Sequence, residues 1–354
     1  MRRKRLTYAE SGVNIKQVDL VHHLIGRLIQ RTHKNPNKGR VLSGFGHYAG
    51  LVDIGSCILA LHCDGVGTKL LIAHAMNDFS TVGIDCIAMN VNDLICVGSV
   101  PFAFVDYIAT AKPDPLALGT ITDSLVKGAE EAGVAIIGGE TAVVPGLLSN
   151  VHNKHSIELS GTAVGFVGKR SELVLGNKIM KEDIILGVES SGLHSNGFTL
   201  VRRSLPEDDL HKKVGNLKRS FGDELLTPTR IYVRPMIDLF GSGVEIHGIA
   251  HITGGSFTKL RRINNKVNYR LDNMPDPPEI FKLIQVGGKI GFAEMYRTFN
   301  MGIGLCIIAP RSSAEAIVST FEKYRMRTSK VGIIEKPGTG EVSCKLRNKD
   351  TRLR

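Results

Sequence analysis

Strand-like and helix-like segments alternate through the first half of the chain, and this alternation restricts the fold more than any other feature. Two segments, residues 85–98 and 114–133, carry apolar side chains at helical spacing, and the second has Pro115 in its first turn and Gly133 at its end. Four segments have the composition of buried strands: residues 57–63, 102–110, 134–141 and 157–167. The alternation predicts an α/β or α+β fold.

The pattern stops over residues 168–183, which are polar, and then restarts. A strand is predicted over residues 184–190, and the last dozen residues are predicted to form a frayed tail. A chain of 354 residues is long enough for two domains. We therefore predict two domains, residues 1–167 and 168–354. Three elements are predicted near the end of the second: a strand over residues 301–310, a helix over 313–325 and a strand over 329–336.

The formal charge of +11 raises the possibility of a nucleic-acid partner. The positive charge is concentrated at the ends, because residues 1–40 hold ten Lys or Arg against two acids, and residues 345–354 hold five against one. The rest of the chain is nearly neutral. Neither a recognition motif nor an array of stacking aromatic residues accompanies the basic ends. We therefore expect solvated termini and no nucleic-acid partner.

The cysteines and the hydropathy pattern bear on the cellular compartment. The chain has six cysteines, none in a CxxC pair and most within apolar runs, which favours reduced, buried thiols in a cytoplasmic protein. Membrane spans need about 18 consecutive apolar residues, and the sequence has no such run. The charged N-terminus is not followed by the apolar core of a signal peptide. We expect no membrane partner.

The segment "DGVGTK" joins an acid, two glycines and a cation at the end of a predicted strand. Glycines let the backbone approach an anion and point N–H groups at it. Lys69 adds a positive charge, and Thr68 adds a hydroxyl. The order of residues is not that of a Walker A loop, and the chain contains no GxGxxG dinucleotide motif. Taken alone, the segment is also compatible with an ordinary turn.

Two more acids lie beside the ends of predicted core elements. On the predicted helix, Asp93 shares a face with Asp85 and Asn92, although a solvated helix face would show the same pattern. Glu140 follows two glycines at the end of a predicted strand. Mg²⁺ is usually held by one or two carboxylates together with substrate phosphates. Asp64, Asp93 and Glu140 together therefore predict a magnesium–polyphosphate site.

Eight motifs, in order, make the chain resemble the phosphoribosylformylglycinamidine cyclo-ligase family, the aminoimidazole ribonucleotide synthetases. They extend from about residue 6 to about residue 335: "LTYAESGVNI", "DGVGTK", "GID…AMNVNDL…G..P", "GGETA", "SSGLHSNGF", "TPTRIYV", "AHITGGSF" and "EMYRTFNMGIG". The resemblance implies ATP-dependent ring closure of formylglycinamidine ribonucleotide to aminoimidazole ribonucleotide, with release of ADP and phosphate, in de novo purine biosynthesis. It also implies a homodimer of chains with two α/β domains each, the N-terminal sheets joining into a barrel across the dimer.

The resemblance also implies a set of site residues, with ATP and Mg²⁺ bound and a monovalent cation such as K⁺ as a further possibility. The implied catalytic residues are Asp64, Lys69, Asp93, His194 and His251. The implied metal ligands are Asp64, Asp93 and Glu140. The implied ATP contacts in the N-terminal domain are Gly65, Gly67, Thr68, Lys69, Asp85, Asn92, Gly138, Gly139 and Thr141. The implied small-molecule substrate contacts in the C-terminal domain are Ser191, Gly192, His194, Ser195, Asn196, Gly197, Thr229, Arg230, Thr253, Gly254, Gly255, Asn300 and Gly302.

The sequence departs from the bacterial family pattern at two places, with Tyr48 in "GHYAGLVDIG" and Val143 in "GGETAVVPG". One alternative function is a small-molecule phosphotransferase of the same superfamily, of the thiamine-phosphate kinase or selenophosphate synthetase type. These enzymes share the acids but not the later motifs, and the second type would carry a reactive cysteine or selenocysteine in a segment where "VLSGFGHYAG" has none. An alternative from another class is a nucleic-acid-binding protein.

Overall fold

A computed structural model describes residues 7, 12, 15–43, 46–148, 156–204, 209–346 and 349–353. Most of the motif at residues 6–15, and residues 1–6 of the basic N-terminal segment, lie outside this part of the chain. None of the helices that the structure describes combines the length and the hydrophobicity that a bilayer crossing requires.

The first half of the chain forms a six-stranded mixed sheet. Its strands are β1 (Arg40–Val41), β2 (Gly50–Asp53), β3 (Ile58–Gly65), β4 (Val100–Thr110), β5 (Ala135–Val143) and β6 (Ile157–Val167). Their order across the sheet is β1-β2-β3-β6-β4-β5, with β4 and β5 parallel and the other neighbours antiparallel. The four strands predicted here from apolar composition are confirmed.

Helices cover one face of this sheet. The helices of this half are α1 (Ile15–Ile29), α2 (Lys69–Met76), α3 (Val82–Ile95), α4 (Pro115–Ala132) and α5 (Pro145–Leu148). Asp114 caps α4 by accepting from the N–H groups of Leu116 and Ala117, and Gly133 ends it in a left-handed conformation, as its sequence predicts. Helix α3 begins three residues before the predicted start at residue 85, and its residues are almost all buried between the sheet and the second half of the chain.

The other face of the first sheet stays open within the described chain. Along β6, residues alternate between a buried face and a face that is partly or fully exposed, the pattern of a sheet packed on one side. The open face and its rim carry four large apolar side chains that are 40% to 44% exposed: Leu61, Phe102, Tyr107 and Phe166. The first sheet therefore has an exposed face that carries apolar side chains.

The second half forms a seven-stranded sheet. Its strands are β7 (Ile184–Glu189), β8 (Gly248–His251), β9 (Val267–Leu271), β10 (Ile303–Ala309), β11 (Thr328–Pro337), β12 (Val342–Leu346) and β13 (Lys349–Leu353), in the order β13-β12-β9-β11-β7-β10-β8. Its helices are α6 (Phe198–Ser204), α7 (Phe221–Leu225), α8 (Val233–Ser242), α9 (Leu260–Ile263), α10 (Glu279–Gly287), α11 (Phe292–Thr298) and α12 (Ala314–Lys323). The predicted strand–helix–strand near the end is confirmed as β10, α12 and β11. The predicted boundary at residue 168 lies between the two sheets, and the division into separate domains stays a prediction.

The prediction of a frayed C-terminal tail is wrong. Strands β12 and β13 form an antiparallel hairpin, and β12 joins the sheet by pairing parallel with β9. Val342, Cys344 and Leu353 are buried, whereas Lys345 and Arg352 are exposed. The high density of basic residues suggested solvation, but the period-2 alternation of apolar and basic side chains is that of an edge hairpin.

Helices α3 and α4 pack so closely that Gly83 has no room for a side chain. A Cβ atom at this position would lie 2.3 Å from the backbone nitrogen of Leu125 and from Oγ of Ser124. We expect Gly83→Ala to lower the free energy of unfolding by about 1–3 kcal/mol, because α4 must move away. Chemical denaturation measures the change.

Gly119→Ala is the matched control, because Gly119 is an exposed residue of α4, and no atom lies within 4 Å of the position that an added methyl group would take. Removing a helical glycine there should raise stability by roughly 0.4–1 kcal/mol. Equal effects of the two substitutions would contradict the close packing of α3 on α4.

Candidate active site

Asp93, near the C-terminal end of α3, lies between two histidines. Its Oδ1 is 2.8 Å from Nδ1 of His251, which ends β8 in the second sheet. Its Oδ2 is 3.2 Å from Nε2 of His62, which lies on β3. The carboxylate therefore joins the two halves of the chain, and two of the predicted site residues, Asp93 and His251, are in direct contact.

The tautomer of His251 follows from its neighbours. Asn92 Oδ1 accepts from the backbone N–H of Tyr232 at 2.9 Å, so its Nδ2 faces the carbonyl oxygen of Arg230 at 2.8 Å and Nε2 of His251 at 3.4 Å. Nε2 of His251 is then an acceptor, and Nδ1 carries the proton that is donated to Asp93. Asn92 was predicted to contact ATP, but in this structure its amide is occupied by these contacts.

His62 was not among the predicted site residues. Its Nδ1 is 3.1 Å from Oδ1 of Asn90, whose Nδ2 is held by the carbonyl oxygens of Asp64 and Cys86. Both ring nitrogens of His62 therefore face side-chain oxygens, those of Asn90 and Asp93. The signal was present in the sequence, because His62 lies two residues before Asp64 on a strand and must share its face.

The two carboxylates have opposite pKa shifts. Burial alone would raise the pKa of Asp93, but the charge of His62 and the hydrogen bond from His251 outweigh it and hold the pKa below its usual value. Desolvation by the surrounding protein raises the pKa of Asp64. A hydrogen bond from the Gly65 N–H at 2.8 Å lowers this pKa, and the nearby charge of Asp93 raises it. Asp64 is nevertheless exposed to solvent in the single chain, so its carboxylate can reach a ligand.

The rest of "DGVGTK" forms the turn between β3 and α2. Gly67 adopts φ of 66°, a left-handed conformation that glycine tolerates. Gly67 and Thr68 are exposed, Gly65 is half-buried, and Thr68 Oγ1 lies 3.2 Å from Oγ1 of Thr199 at the start of α6. The turn therefore presents its backbone to the cleft between the two sheets, as the predicted phosphate contacts require.

Lys69 does not lie in this cleft. Its side chain is fully buried, with Nζ 2.6 Å from Oδ2 of Asp85 and 2.8 Å from the carbonyl oxygen of Thr227. Burial lowers the pKa of Lys69, and the Asp85 carboxylate opposes this. The predicted contact of Lys69 with phosphate therefore has no support from this geometry, and neither does an ATP contact by Asp85.

Asp85 instead anchors two loops of the second half. Its Oδ1 accepts from the backbone N–H of Thr229 at 2.7 Å, from the Thr229 hydroxyl at 2.6 Å and from the Ser195 hydroxyl at 3.0 Å. Thr229 and Ser195 were predicted to contact substrate. The structure brings them together beside α3, with their hydroxyls 3.1 Å apart.

The loop "SSGLHSNG" is held by its own polar groups. The Ser191 N–H donates to Nε2 of His194 at 3.3 Å, and the Ser191 hydroxyl donates to the carbonyl oxygen of Pro228. His194 has a left-handed backbone and is buried, and burial holds its pKa well below the usual value. Gly192 and Asn196 are half-buried at the cleft, whereas Gly197 is buried against Phe299. His194 therefore lies behind the surface that a substrate could touch.

The remaining predicted substrate residues come from three neighbouring loops. In "HITGG", Thr253 is buried and accepts a hydrogen bond from Nζ of Lys259, while Gly254 and Gly255 are half-buried. Asn300 binds the "SSGLHSNG" loop, since its Nδ2 donates to the carbonyl oxygen of Gly192 at 2.8 Å. Its Oδ1 accepts from the Gly302 N–H. Arg230 lies 3.4 Å from the Glu189 carboxylate.

Glu140 and its neighbours lie elsewhere on the first sheet. The register places Gly139 beside Asp106, and Asp106 shares its row with Gly161 and Asp64. Gly139 is thus three strands from Asp64, roughly 14 Å away. Glu140 pairs with Tyr107 and so occupies the open face, opposite to Asp64. The predicted cluster of three carboxylates does not form within one chain. Gly138 and Thr141 are exposed on the same edge strand.

Asp106 is an acid that sequence reasoning missed. A Cβ atom at Gly139 would come within 2.3 Å of its carboxylate, so glycine is required beside it. The strand "FAFVDYIAT" offered the signal of one acid in an otherwise apolar run.

A cavity of about 1150 Å³ opens beside His62. Its walls come from α1, from residues 46–52 and from α9 with the residues just after it. They include His47, Tyr48, Arg261 and Arg262. The basic side chains in its walls favour an anionic ligand. The cavity has the size that a nucleotide needs, and its wall includes His62, which binds Asp93.

The carboxylates fit a magnesium ion only in part. Among the described residues, no group of three or more His, Cys, Asp or Glu is arranged to hold a metal. Asp64 has an exposed carboxylate, and Asp93 lies close enough to affect its pKa. Two carboxylates are sufficient where substrate phosphates complete the coordination, as is usual for Mg²⁺.

The buried pair of Lys69 and Asp85 predicts a large effect on stability. Lys69→Met would leave the Asp85 carboxylate without its counter-charge in the interior, at a cost of about 3–5 kcal/mol in the free energy of unfolding. Lys127→Met is the control, because Lys127 forms an exposed ion pair with Asp123 at 2.6 Å and should change stability by less than about 0.5 kcal/mol. Similar denaturation midpoints for the two variants would contradict the structural role of Lys69.

Comparison with known families agrees with the eight motifs. The AIR synthase related protein N-terminal domain matches residues 46–167, and the corresponding C-terminal domain matches residues 181–345. A phosphoribosylformylglycinamidine cyclo-ligase of Methanothermobacter thermautotrophicus is 46% identical over 88% of this chain and 90% of its own length. The protein of the same name from Methanobrevibacter smithii is 43% identical over 90% of this chain and 92% of its own length.

Solved structures with the same fold are more distant in sequence. Hydrogenase maturation protein HypE matches with a TM-score of 0.60 at 17% identity, over 91% of this chain and 92% of that one. Thiamine-monophosphate kinase from Stenotrophomonas maltophilia matches with a TM-score of 0.59 at 20% identity, over 91% of this chain and 95% of that one. At these identities the likeness concerns the fold alone. The two matched domains and the similarity to the proteins from Methanothermobacter and Methanobrevibacter establish that the chain belongs to the phosphoribosylformylglycinamidine cyclo-ligase family, the AIR synthases.

Proposed function

We propose that the chain catalyses the ATP-dependent ring closure of formylglycinamidine ribonucleotide to aminoimidazole ribonucleotide, with release of ADP and phosphate. The observation that carries the proposal is the position of Asp93 between His62 and His251. This contact joins the "DGVGTK" side of the cleft to the "HITGG" loop in a chain of the cyclo-ligase family.

The reaction has two chemical requirements that the cleft can meet. The formyl oxygen is first converted to a phosphate ester by the γ-phosphoryl group of ATP, and an amidine nitrogen then attacks the formyl carbon as phosphate leaves with that oxygen. The attacking nitrogen gives up a proton, for which we assign no base. The protein therefore mainly positions the two substrates and stabilises the transferring phosphoryl group.

Asp64 and Asp93 would hold Mg²⁺ with the ATP phosphates, and the exposed turn at Gly67 and Thr68 would lie beside them. When bound, the ion would neutralise charge on the phosphates. The hydrogen bonds from His62 and His251 orient Asp93 and keep it ionised. A monovalent cation such as K⁺ is compatible with this proposal but has no assigned ligands.

The loops of the second half would bind the ribonucleotide. Ser191, Gly192, Asn196, Gly254 and Gly255 are partly accessible at the cleft, so their hydroxyl, amide and backbone groups can contact a ribose phosphate. Asp85, His194 and Asn300 would act indirectly, because they are buried and bind these loops. The alternative function is that of a phosphotransferase related to the thiamine-monophosphate kinase. That kinase shares the fold but is only 20% identical to this chain, whereas a cyclo-ligase is 46% identical.

The direct test is to incubate the purified chain with formylglycinamidine ribonucleotide, ATP and Mg²⁺. Aminoimidazole ribonucleotide should form one-to-one with ADP, and ADP should not form without the amidine. Phosphorylation of thiamine phosphate, or no product from the amidine with either K⁺ or Na⁺ present, would rule out the proposed reaction.

Replacement of the two acids by Asn should separate function from stability. Both Asp64→Asn and Asp93→Asn should lower kcat by on the order of 10²–10³, because each removes a charge that acts through the metal on the phosphoryl group. Only Asp93→Asn should also lower the free energy of unfolding, by about 1–3 kcal/mol, since it loses charged hydrogen bonds to two histidines.

Magnesium titration of activity and thermal melting of both variants provide the measurements. Wild-type activity and metal dependence in Asp64→Asn would show that Asp64 is not a metal ligand. Unchanged melting of Asp93→Asn would contradict its paired state.

We further propose that a second copy of the chain covers the open face of the first sheet, so that two such sheets close into a barrel. Support comes from the exposed apolar side chains on that face and from α1, whose Leu20, Leu24 and Leu28 are more than half exposed. A closed barrel would also remove the exposed edge strand β5. Glu140, which lies on the open face, could reach a metal only in such an assembly.

Phe166→Glu should convert a dimer to a monomer, because a charge on a buried apolar interface is costly. Leu116→Glu is the control, since Leu116 is 83% exposed on α4, away from the open face. Light scattering at micromolar concentration measures the mass. A monomeric wild type, or a dimer unaffected by Phe166→Glu, would contradict the proposed interface.

A further inference from the structure

Lys259 is a cation beside the acid pair that the sequence motifs did not single out. It ends a short 3-10 turn, Ser256–Lys259, that follows the "HITGG" loop directly. Its Nζ donates a hydrogen bond to Oγ1 of Thr253, which is buried. The loop therefore holds the side chain in a defined position, partly accessible to solvent.

Lys259 is placed near the acids by its loop, because His251 binds Asp93 at 2.8 Å and Thr253, two residues later, binds Nζ of Lys259. It is among the charges that favour the ionised forms of Asp64 and Asp93. Within the described chain it nevertheless forms no ion pair with either, and its hydrogen bond to Thr253 uses one of the three N–H donors of the ammonium group. Two donors remain for a ligand that binds between the lysine and the acids.

Lys69 and Lys259 differ in the hydrogen-bond donors that they leave for a ligand. Lys69 was expected to contact phosphate, but its donors are occupied by Asp85 and the Thr227 carbonyl in the interior. Lys259 lies on the second half of the chain, and its Nζ binds Thr253, two residues after the histidine that binds Asp93. A lysine binds phosphate as a compact point charge, so it needs proximity and free donors more than a fixed orientation.

We propose that Lys259 donates hydrogen bonds to the phosphoryl group as it moves from ATP to the substrate, an inference that rests on the proposed function. In this step the formyl oxygen forms a bond to the γ-phosphorus, and the bond from that phosphorus to the bridging oxygen breaks, so that ADP leaves with the electron pair. Burial lowers the pKa of Lys259, and the charge of Asp93 opposes this. The step uses the protonated form of the lysine and transfers no proton from it. Thr253 is then a positioning residue, since it acts through the lysine.

Binding of nucleotides without turnover tests this contact. With Mg²⁺ present, calorimetry would compare ADP with the β,γ-methylene analogue of ATP on the wild type, on Lys259→Met and on Lys259→Arg. Lys259→Met should weaken binding of the analogue by about tenfold, the value of one charged hydrogen bond, and leave ADP within about twofold. Lys259→Arg should recover part of the loss.

Lys266→Met is the matched control, because Lys266 is an exposed lysine seven residues after Lys259. It should bind both nucleotides as the wild type does. In kinetics, Lys259→Met should lower kcat by on the order of 10² while KM for formylglycinamidine ribonucleotide stays near the wild-type value. Equal weakening of ADP and the analogue, or no weakening of either, would overturn the proposal.

A second variant covers the case in which Lys259→Met does not fold. Thr253→Val keeps the shape of the side chain but removes the hydroxyl that binds Nζ. It should weaken binding of the analogue more than binding of ADP, as Lys259→Met does, but by a smaller factor. If the wild type makes no aminoimidazole ribonucleotide, the proposed function fails. The comparison of the two nucleotides still decides whether Lys259 contacts the terminal phosphate.

Discussion

The packing of the polar side of α3 against the second half of the chain is the constraint on which the rest of the site depends. Asp85, Asn92 and Asp93 are buried there, and each binds a group from the second half. Buried polar groups are stable only where hydrogen bonds satisfy them. The two halves must therefore meet in one register, and that register brings the "DGVGTK" turn to the "HITGG" and "SSGLHSNG" loops.

This arrangement divides the polar residues into two layers. Lys69, Asp85, Asn92 and His194 are buried and use their hydrogen-bonding groups to position loops. Asp64, with the exposed turn that follows it, keeps groups that a ligand can reach. The buried layer gives the accessible layer its geometry, because Ser195, Thr229 and His251 fix their loops to α3 before a substrate binds. Preorganisation of this kind is what phosphoryl transfer requires of a protein.

Sequence patterns predicted the elements well and the site in part. Apolar composition predicted the strands, and Pro115 with Gly133 predicted both ends of α4. Periodicity placed Asp85 and Asp93 on one helix face, but it could not tell a solvated face from one buried on the other half of the chain. Lys69 was expected at the phosphate because its motif does not show that the side chain is buried against Asp85. Glu140 was expected beside Asp64. Strand order, which no local pattern contains, separates Glu140 from Asp64. His62 was missed because its contact with Asp93 is between distant parts of the sequence, although its place on the strand of Asp64 was a signal. Lys259 was missed because it lies outside the sequence motifs.

The most direct test of this account is a crystal structure of the chain with Mg²⁺ and the β,γ-methylene analogue of ATP. We expect the metal at the carboxylates of Asp64 and Asp93, and the terminal phosphate within hydrogen-bonding distance of Nζ of Lys259. A metal and triphosphate bound elsewhere would contradict the account. The groove of about 470 Å³ between α4 and α8, lined by Lys127, Glu131 and Arg234, is the alternative position to inspect.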